Sequence, residues 1–139
     1  MTWLVFFLIA LASIHDLRRR EIPDGISIAV ASIAVLGEIC GLAQLTWLDM
    51  TTGSALALAI GLPLFACGGL GGGDTKLIAA LGACLGPLAL LHTLYWIAIC
   101  GGVLAIVAAC RGKRDFAYGP AIALGLLLHL LQLEVFGHA

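Results

Sequence analysis

Two aspartates stand where acid–base chemistry would need them. Asp16 closes the first apolar stretch of the chain, and Asp74 follows the third, at Gly71-Gly72-Gly73-Asp74. Two carboxylates held close together cannot both ionise easily, so one keeps a proton. The ionised partner can then deprotonate a water molecule while the protonated one gives its proton to an amide carbonyl. That is hydrolysis by an aspartate pair, and it calls for neither a metal ion nor a cofactor. The glycines ahead of Asp74 let the chain leave helical geometry and let an extended segment come close without obstruction by Cβ. Plainer readings exist for both residues. Asp74 also fits as the N-cap of a helix beginning near Thr75, and Asp16 can pair with Arg19 or Arg20 one helical turn onward.

Only a particular kind of scaffold can bring two such distant residues together. The chain has 139 residues, 62% of them hydrophobic and 11% charged, too few polar residues to cover a soluble domain of that size. Bilayer is the solvent that suits it. Apolar stretches at 2–15, 25–45, 53–70, 77–91, 93–110 and 119–136 predict six membrane helices, at about 20 residues per crossing. The fourth and fifth stretches run together, and at ~1.5 Å per residue one straight helix would far exceed a ~30 Å hydrocarbon core. Gly86-Pro87 and His92 offer places to turn, so a tight helical hairpin is expected there. The predicted fold is an all-α membrane bundle of six transmembrane helices forming a single domain over residues 1–139.

Charge placement tests that topology independently. With the amino terminus outside, the cytoplasmic segments are 16–24, 71–76 and 111–118. All seven basic residues (Arg18, Arg19, Arg20, Lys76, Arg111, Lys113 and Arg114) fall within them. The positive-inside rule expects this pattern. Counting the long run as one crossing would put Arg111–Arg114 outside, so the charges favour six spans with both termini outside the cytoplasm. The first helix is retained, because a signal peptide carries its positive charge before its apolar run and not after it. Asp16 and Asp74 then lie at one level, at the cytoplasmic rim, where ionisable groups near membrane depth point to function.

Most other polar residues have modest roles. The five cysteines, Cys40, Cys67, Cys84, Cys100 and Cys110, form no CxxC pair and read as small packing residues. Gly37-x-x-x-Gly41, Gly68-x-x-x-Gly72, Gly69-x-x-x-Gly73 and Gly82-x-x-x-Gly86 place small residues one turn apart, which permits close helix contact. Pro63 is expected to kink the third helix. Asp24 suits the N-cap of the second helix after Ile22-Pro23. His15 reads as a boundary residue, while Glu38 and His129 are expected to face the bundle interior and hydrogen-bond there. His92 falls on the face opposite Asp74. Trp3, Trp47 and Trp96 suit an outer aromatic belt. Arg111-Gly112-Lys113-Arg114 is a topology anchor for anionic lipid, and no nucleic-acid partner is expected.

Three segments carry a family resemblance. Asp16, followed at fixed distance by Ile22-Pro23-Asp24, resembles the first signature of type IV prepilin peptidases. Gly71-Gly72-Gly73-Asp74-Thr75-Lys76-Leu77 is similar to their GxGD-x-K-L signature, and Tyr118-Gly119-Pro120-Ala121 to the start of their last helix. The resemblance implies that Asp16 and Asp74 are the catalytic pair, with Gly71, Gly73, Lys76, Asp24 and Tyr118 shaping the substrate site. It implies a prepilin substrate, cut at the cytoplasmic face of a bacterial inner membrane between a basic leader and a hydrophobic helix. Glu21, Asp24 and Asp115 are candidates to receive the leader. Larger members add a cytosolic domain with paired CxxC motifs and N-methylate the new amino terminus. This sequence shows no such pairs and resembles the minimal form serving tight-adherence (Flp-type) pili, for which methylation is not expected.

Two other functional classes fit the same membrane frame. In a small proton-coupled transporter or channel component, Asp16 and Asp74 would carry protons. In a non-catalytic pilus assembly subunit they would do no chemistry at all.

Overall fold

The computed structural model describes residues 2–19, 24–41, 45–110 and 118–136, with the side chains of residues 2, 16–19, 24 and 136 outside the described set. Among the described residues five helices follow one another: α1 (Thr2–Arg19), α2 (Asp24–Ile39), α3 (Trp47–Ala66), α4 (Gly72–Cys110) and α5 (Gly119–Phe136). The expected all-α class holds. The fourth and fifth apolar stretches both fall within α4, which consists of two helical halves meeting at Gly86. Within α4, Gly86 has φ 73° and ψ 174°, a non-helical conformation open to glycine, and Pro87 follows it. The break falls where the sequence offers a turn.

That break is also where α4 changes partner. Before Gly86, α4 runs antiparallel to α3. Thr75 meets Gly61, Ser54 Oγ donates to the carbonyl of Ala79, Gly82 meets Gly53, and Gly86 lies against Asp49. Beyond Gly86 the partner is α5, with Ile97 against Gly125 and Gly101 against Ala121. The α2 helix packs along α4, where Cys84 Sγ contacts the Val30 carbonyl at 3.4 Å, and α1 packs mainly on α5.

Helix ends are set by local bonding. Thr46 and Asp49 form a reciprocal capping box that starts α3: Asp49 N–H donates to Thr46 Oγ1, and Thr46 N–H donates to the Asp49 carboxylate at 3.0 Å. The helix therefore begins six residues before the expected apolar stretch at 53. Its other end closes at Cys67 and at Gly68, whose φ is +72°. Pro63 is accommodated in the last turn, and α3 continues through it to Ala66. The α2 helix ends at Ile39 instead of 45, because Gly41 turns the chain at φ +66° with its N–H on the Glu38 carbonyl. The α1 helix continues past His15 to Arg19 and so includes Asp16 in its backbone.

The core is formed by Ile9, Val30, Ala57, Leu81, Leu90 and Ile122, drawn from all five helices and essentially inaccessible. The outside of the bundle is apolar as well: Leu48 is 75% exposed and Leu88 82%. Such a surface suits lipid and not water. By length and composition, Trp47–Ala66 and Gly72–Cys110 can cross a membrane, and Trp3–His15, Gly25–Ile39 and Gly119–Val135 are shorter apolar helices.

Candidate active site

Asp74 lies in the first turn of α4, at the positive end of the helix dipole, and is only 9% exposed. It is therefore inside the helix and not its N-cap. A Cβ built on Gly71 would stand 2.9 Å from Asp74 Oδ2 and 3.7 Å from its Cγ. The carboxylate thus occupies the space that a side chain at position 71 would fill. The Gly71 carbonyl accepts two hydrogen bonds from Thr75, one from its N–H at 3.0 Å and one from Oγ1 at 3.0 Å. Thr75 is buried, and its methyl lies against Gly61 of α3, where a Cβ would come within 3.0 Å of it. Gly72 packs beside the ring of Phe65, and Gly73 is half-buried.

Lys76 is exposed, and it lines a cavity of about 440 Å³ between α2, α3 and α4. Ser27 and Ala31 of α2 and Ser54 of α3 border the same space, over a floor of Ala79, Ala80 and Ala83. Ser27 is buried, and its hydroxyl has no hydrogen-bond partner among the described residues. Because Ser27 and Lys76 share this cavity, the starts of α2 and α4 lie at the same end of the molecule.

The other expected site residues are placed unequally. The backbones of Asp16 and Asp24 belong to α1 and α2, but their side chains lie outside the described residues, as do Glu21, Asp115 and the basic cluster at 111–114. Tyr118 is half-buried just ahead of α5. Its carbonyl accepts from the N–H groups of Ala121 and Ile122, and its ring lies against Gly101 of α4. Among the described residues, no three His, Cys, Asp or Glu side chains converge as a metal centre would require.

Away from Asp74, the structure joins polar residues that the sequence reading kept apart. His92 and His129 meet at 2.9 Å between their Nδ1 atoms, and Trp96 Nε1 donates to Gln132 Oε1 at 3.0 Å. Both pairs tie α4 to α5. His129 is buried and bonded, as expected; Glu38 is half-buried and makes no side-chain hydrogen bond among the described residues. A spacing signal was available: His92 and Trp96 lie four apart on one helix, and His129 and Gln132 three apart on the other, so each pair shares a face.

The family model of the type IV leader peptidase family matches residues 3–106. A prepilin leader peptidase/N-methyltransferase of Neisseria gonorrhoeae is 42% identical over 89 residues, which is 64% of this chain and 28% of that protein. A type 4 prepilin-like proteins leader peptide-processing enzyme of Escherichia coli O78:H11 is 31% identical over 121 residues, 82% of this chain and 45% of that protein. A prepilin leader peptidase/N-methyltransferase of Burkholderia pseudomallei is 43% identical over 61 residues, 41% of this chain and 20% of that protein. The chain thus spans less than half the length of these curated relatives. No solved structure gives a significant match.

Proposed function

Because the chain belongs to the type IV leader peptidase family, we propose that it is a membrane endopeptidase that removes the leader from prepilins, with Asp16 and Asp74 as its catalytic pair. The observation that carries the reading is the Asp74 carboxylate, buried at the start of α4 against the bare Cα of Gly71. An acid held at a helix start with an open glycine face beside it can be approached by an extended backbone. Only residues 20–23 separate α1 from α2, a link of at most ~18 Å at the reach of an extended chain. That short tether keeps the Asp16 end of α1 near the start of α2, which itself lies beside the start of α4.

The chemistry follows from one shared proton. The ionised aspartate takes a proton from water, the hydroxide oxygen attacks the scissile carbonyl, and the protonated aspartate gives its proton to the carbonyl oxygen. Collapse of the tetrahedral intermediate breaks the C–N bond, and the new amine leaves with the proton returned by the dyad. In this proposal the chain crosses a bacterial inner membrane six times, α4 crossing twice about Gly86. Both termini are outside, and the aspartates face the cytoplasm. The substrate is of the Flp type, and the proposal covers the peptidase step alone, the five cysteines including no CxxC pair.

Co-expression with an Flp-type prepilin, followed by mass spectrometry of the new amino terminus, tests it. Asp16→Asn and Asp74→Asn should each abolish cleavage while the protein still inserts in the membrane. Cleavage that survives either substitution rules out the pair.

A further inference from the structure

We infer that Thr75 is a positioning residue for the Asp74 carboxylate and that it takes its own position from Gly61 on α3. This rests on the reading of Asp74 as catalytic. Three contacts form an unbroken chain. Gly61 has no side chain, so the Thr75 methyl rests on its Cα, and a Cβ there would come within 3.0 Å of that methyl. The Thr75 hydroxyl and N–H both hold the Gly71 carbonyl, each at 3.0 Å. Gly71 in turn forms the wall against which Asp74 Oδ2 lies, where a Cβ would sit 2.9 Å away. Thr75 is 4% exposed, so neither water nor lipid can stand in for its hydroxyl.

The reason to need such a clamp is local. Gly69 and Gly71 bracket the entry to α4 with little side-chain packing, and Gly68 already adopts φ +72°. A glycine-rich entry allows close approach but leaves the first helical turn free to shift. A second bond on the Gly71 carbonyl, anchored by methyl packing on a neighbouring helix, removes that freedom. Acid catalysis is sensitive to this, since displacements near 1 Å can cost about a hundredfold in rate.

The molecule contains its own control. Thr93 makes the same type of bond, Oγ1 to the Ala89 carbonyl at 2.8 Å, and is fully buried in the second half of α4. Loss of its hydroxyl removes an equivalent bond far along the chain from Gly71.

The experiment compares prepilin cleavage by purified full-length variants, each normalised to folded protein. Thr75→Val should lower kcat by about ten- to a hundredfold with KM unchanged, and Thr75→Ser should retain most of the rate. Gly61→Ala should lower kcat in the same direction through the Thr75 methyl. Thr93→Val should leave kcat at the wild-type value. A wild-type kcat in Thr75→Val, or an equal loss in Thr93→Val, overturns the positioning role. Asp74→Asn separates the two levels. If it is inactive while Thr75→Val is unimpaired, only this inference fails; if it still cleaves, the catalytic reading fails and this inference with it.

Discussion

Gly53 of α3 and Gly82 of α4 meet backbone to backbone, so closely that a Cβ on Gly82 would lie 2.7 Å from the Gly53 carbonyl carbon. In lipid, where apolar side chains gain little from leaving their solvent, such direct contact is the main source of helix association. The Gly53–Gly82 crossing holds the first half of α4, and so Asp74, against α3. Gly82→Ala should therefore destabilise the protein by about 1–3 kcal/mol through overpacking. Gly102 provides the contrast, since a Cβ there meets nothing within 4 Å. Thermal unfolding in detergent should show a lower midpoint for Gly82→Ala and no loss for Gly102→Ala. Equal midpoints would contradict the packing role.

A different outcome is expected at Gly71, where an added methyl meets the Asp74 carboxylate instead of a helix backbone. Gly71 is exposed and helically unconstrained, so Gly71→Ala should fold normally. The Asp74 carboxylate must move, however, and on the proposed mechanism the rate of prepilin cleavage should fall by about a hundredfold. Gly68→Ala should do the reverse. Its φ of +72° makes a side chain costly by about 1–2 kcal/mol, yet open space surrounds it. The cleavage rate should fall only in Gly71→Ala, and the unfolding midpoint only in Gly68→Ala.

What could be read from the chain follows from where its punctuation is strong. Gly119-Pro120 opens α5 where the apolar stretch begins, and Gly86-Pro87 breaks α4 where the long run demands a turn. Hydropathy alone misplaces the other ends. The 25–45 stretch stays apolar past the point where Gly41 takes a positive φ and ends α2, and α3 starts in polar sequence because Thr46 and Asp49 cap it. Backbone hydrogen bonding, and not the boundary of an apolar run, decides where a helix stops. At the site, the importance of Asp74 and Gly71 was visible as a motif. The contributions of Gly61 and Thr75 were not, because which glycine faces which side chain depends on how α3 and α4 are set against each other.

The two histidines that join α4 to α5 lead to a double-mutant test. Among the described residues, His129 Nε2 is buried without a hydrogen-bond partner, and the ring bonds to His92 through Nδ1. Removing His92 leaves both nitrogens of a buried ring unsatisfied, at a cost of about 1–3 kcal/mol. His92→Ala should therefore be markedly destabilising, whereas adding His129→Leu to it should recover part of the loss by removing the orphaned polar group. The cycle should give a coupling of at least ~0.5 kcal/mol in unfolding experiments. Strictly additive effects would mean that the two rings do not interact in the folded protein.

Topology can be tested with the cysteines the chain already has. Cys40 lies in the turn after α2, Cys67 caps the end of α3 and Cys110 is the last residue of α4, and all three are exposed. On the proposed topology, α3 crosses the membrane between Cys40 and Cys67. The side on which Cys110 emerges depends on what Gly86 does. As a straight helix, the 39 residues of α4 would extend ~58 Å, nearly twice a ~30 Å hydrocarbon core, and would deliver Cys110 to the face of Cys40. If the chain reverses at Gly86, Cys110 returns to the face of Cys67, and Arg111, Lys113 and Arg114 come to lie on the same side as Lys76, as charge bias favours. Single-cysteine variants treated with a membrane-impermeant maleimide distinguish the two. In intact spheroplasts Cys40 should react while Cys67 and Cys110 stay protected, and inverted vesicles should give the opposite pattern. Labelling of Cys110 together with Cys40 would mean one long crossing, and the six-span arrangement would have to be abandoned.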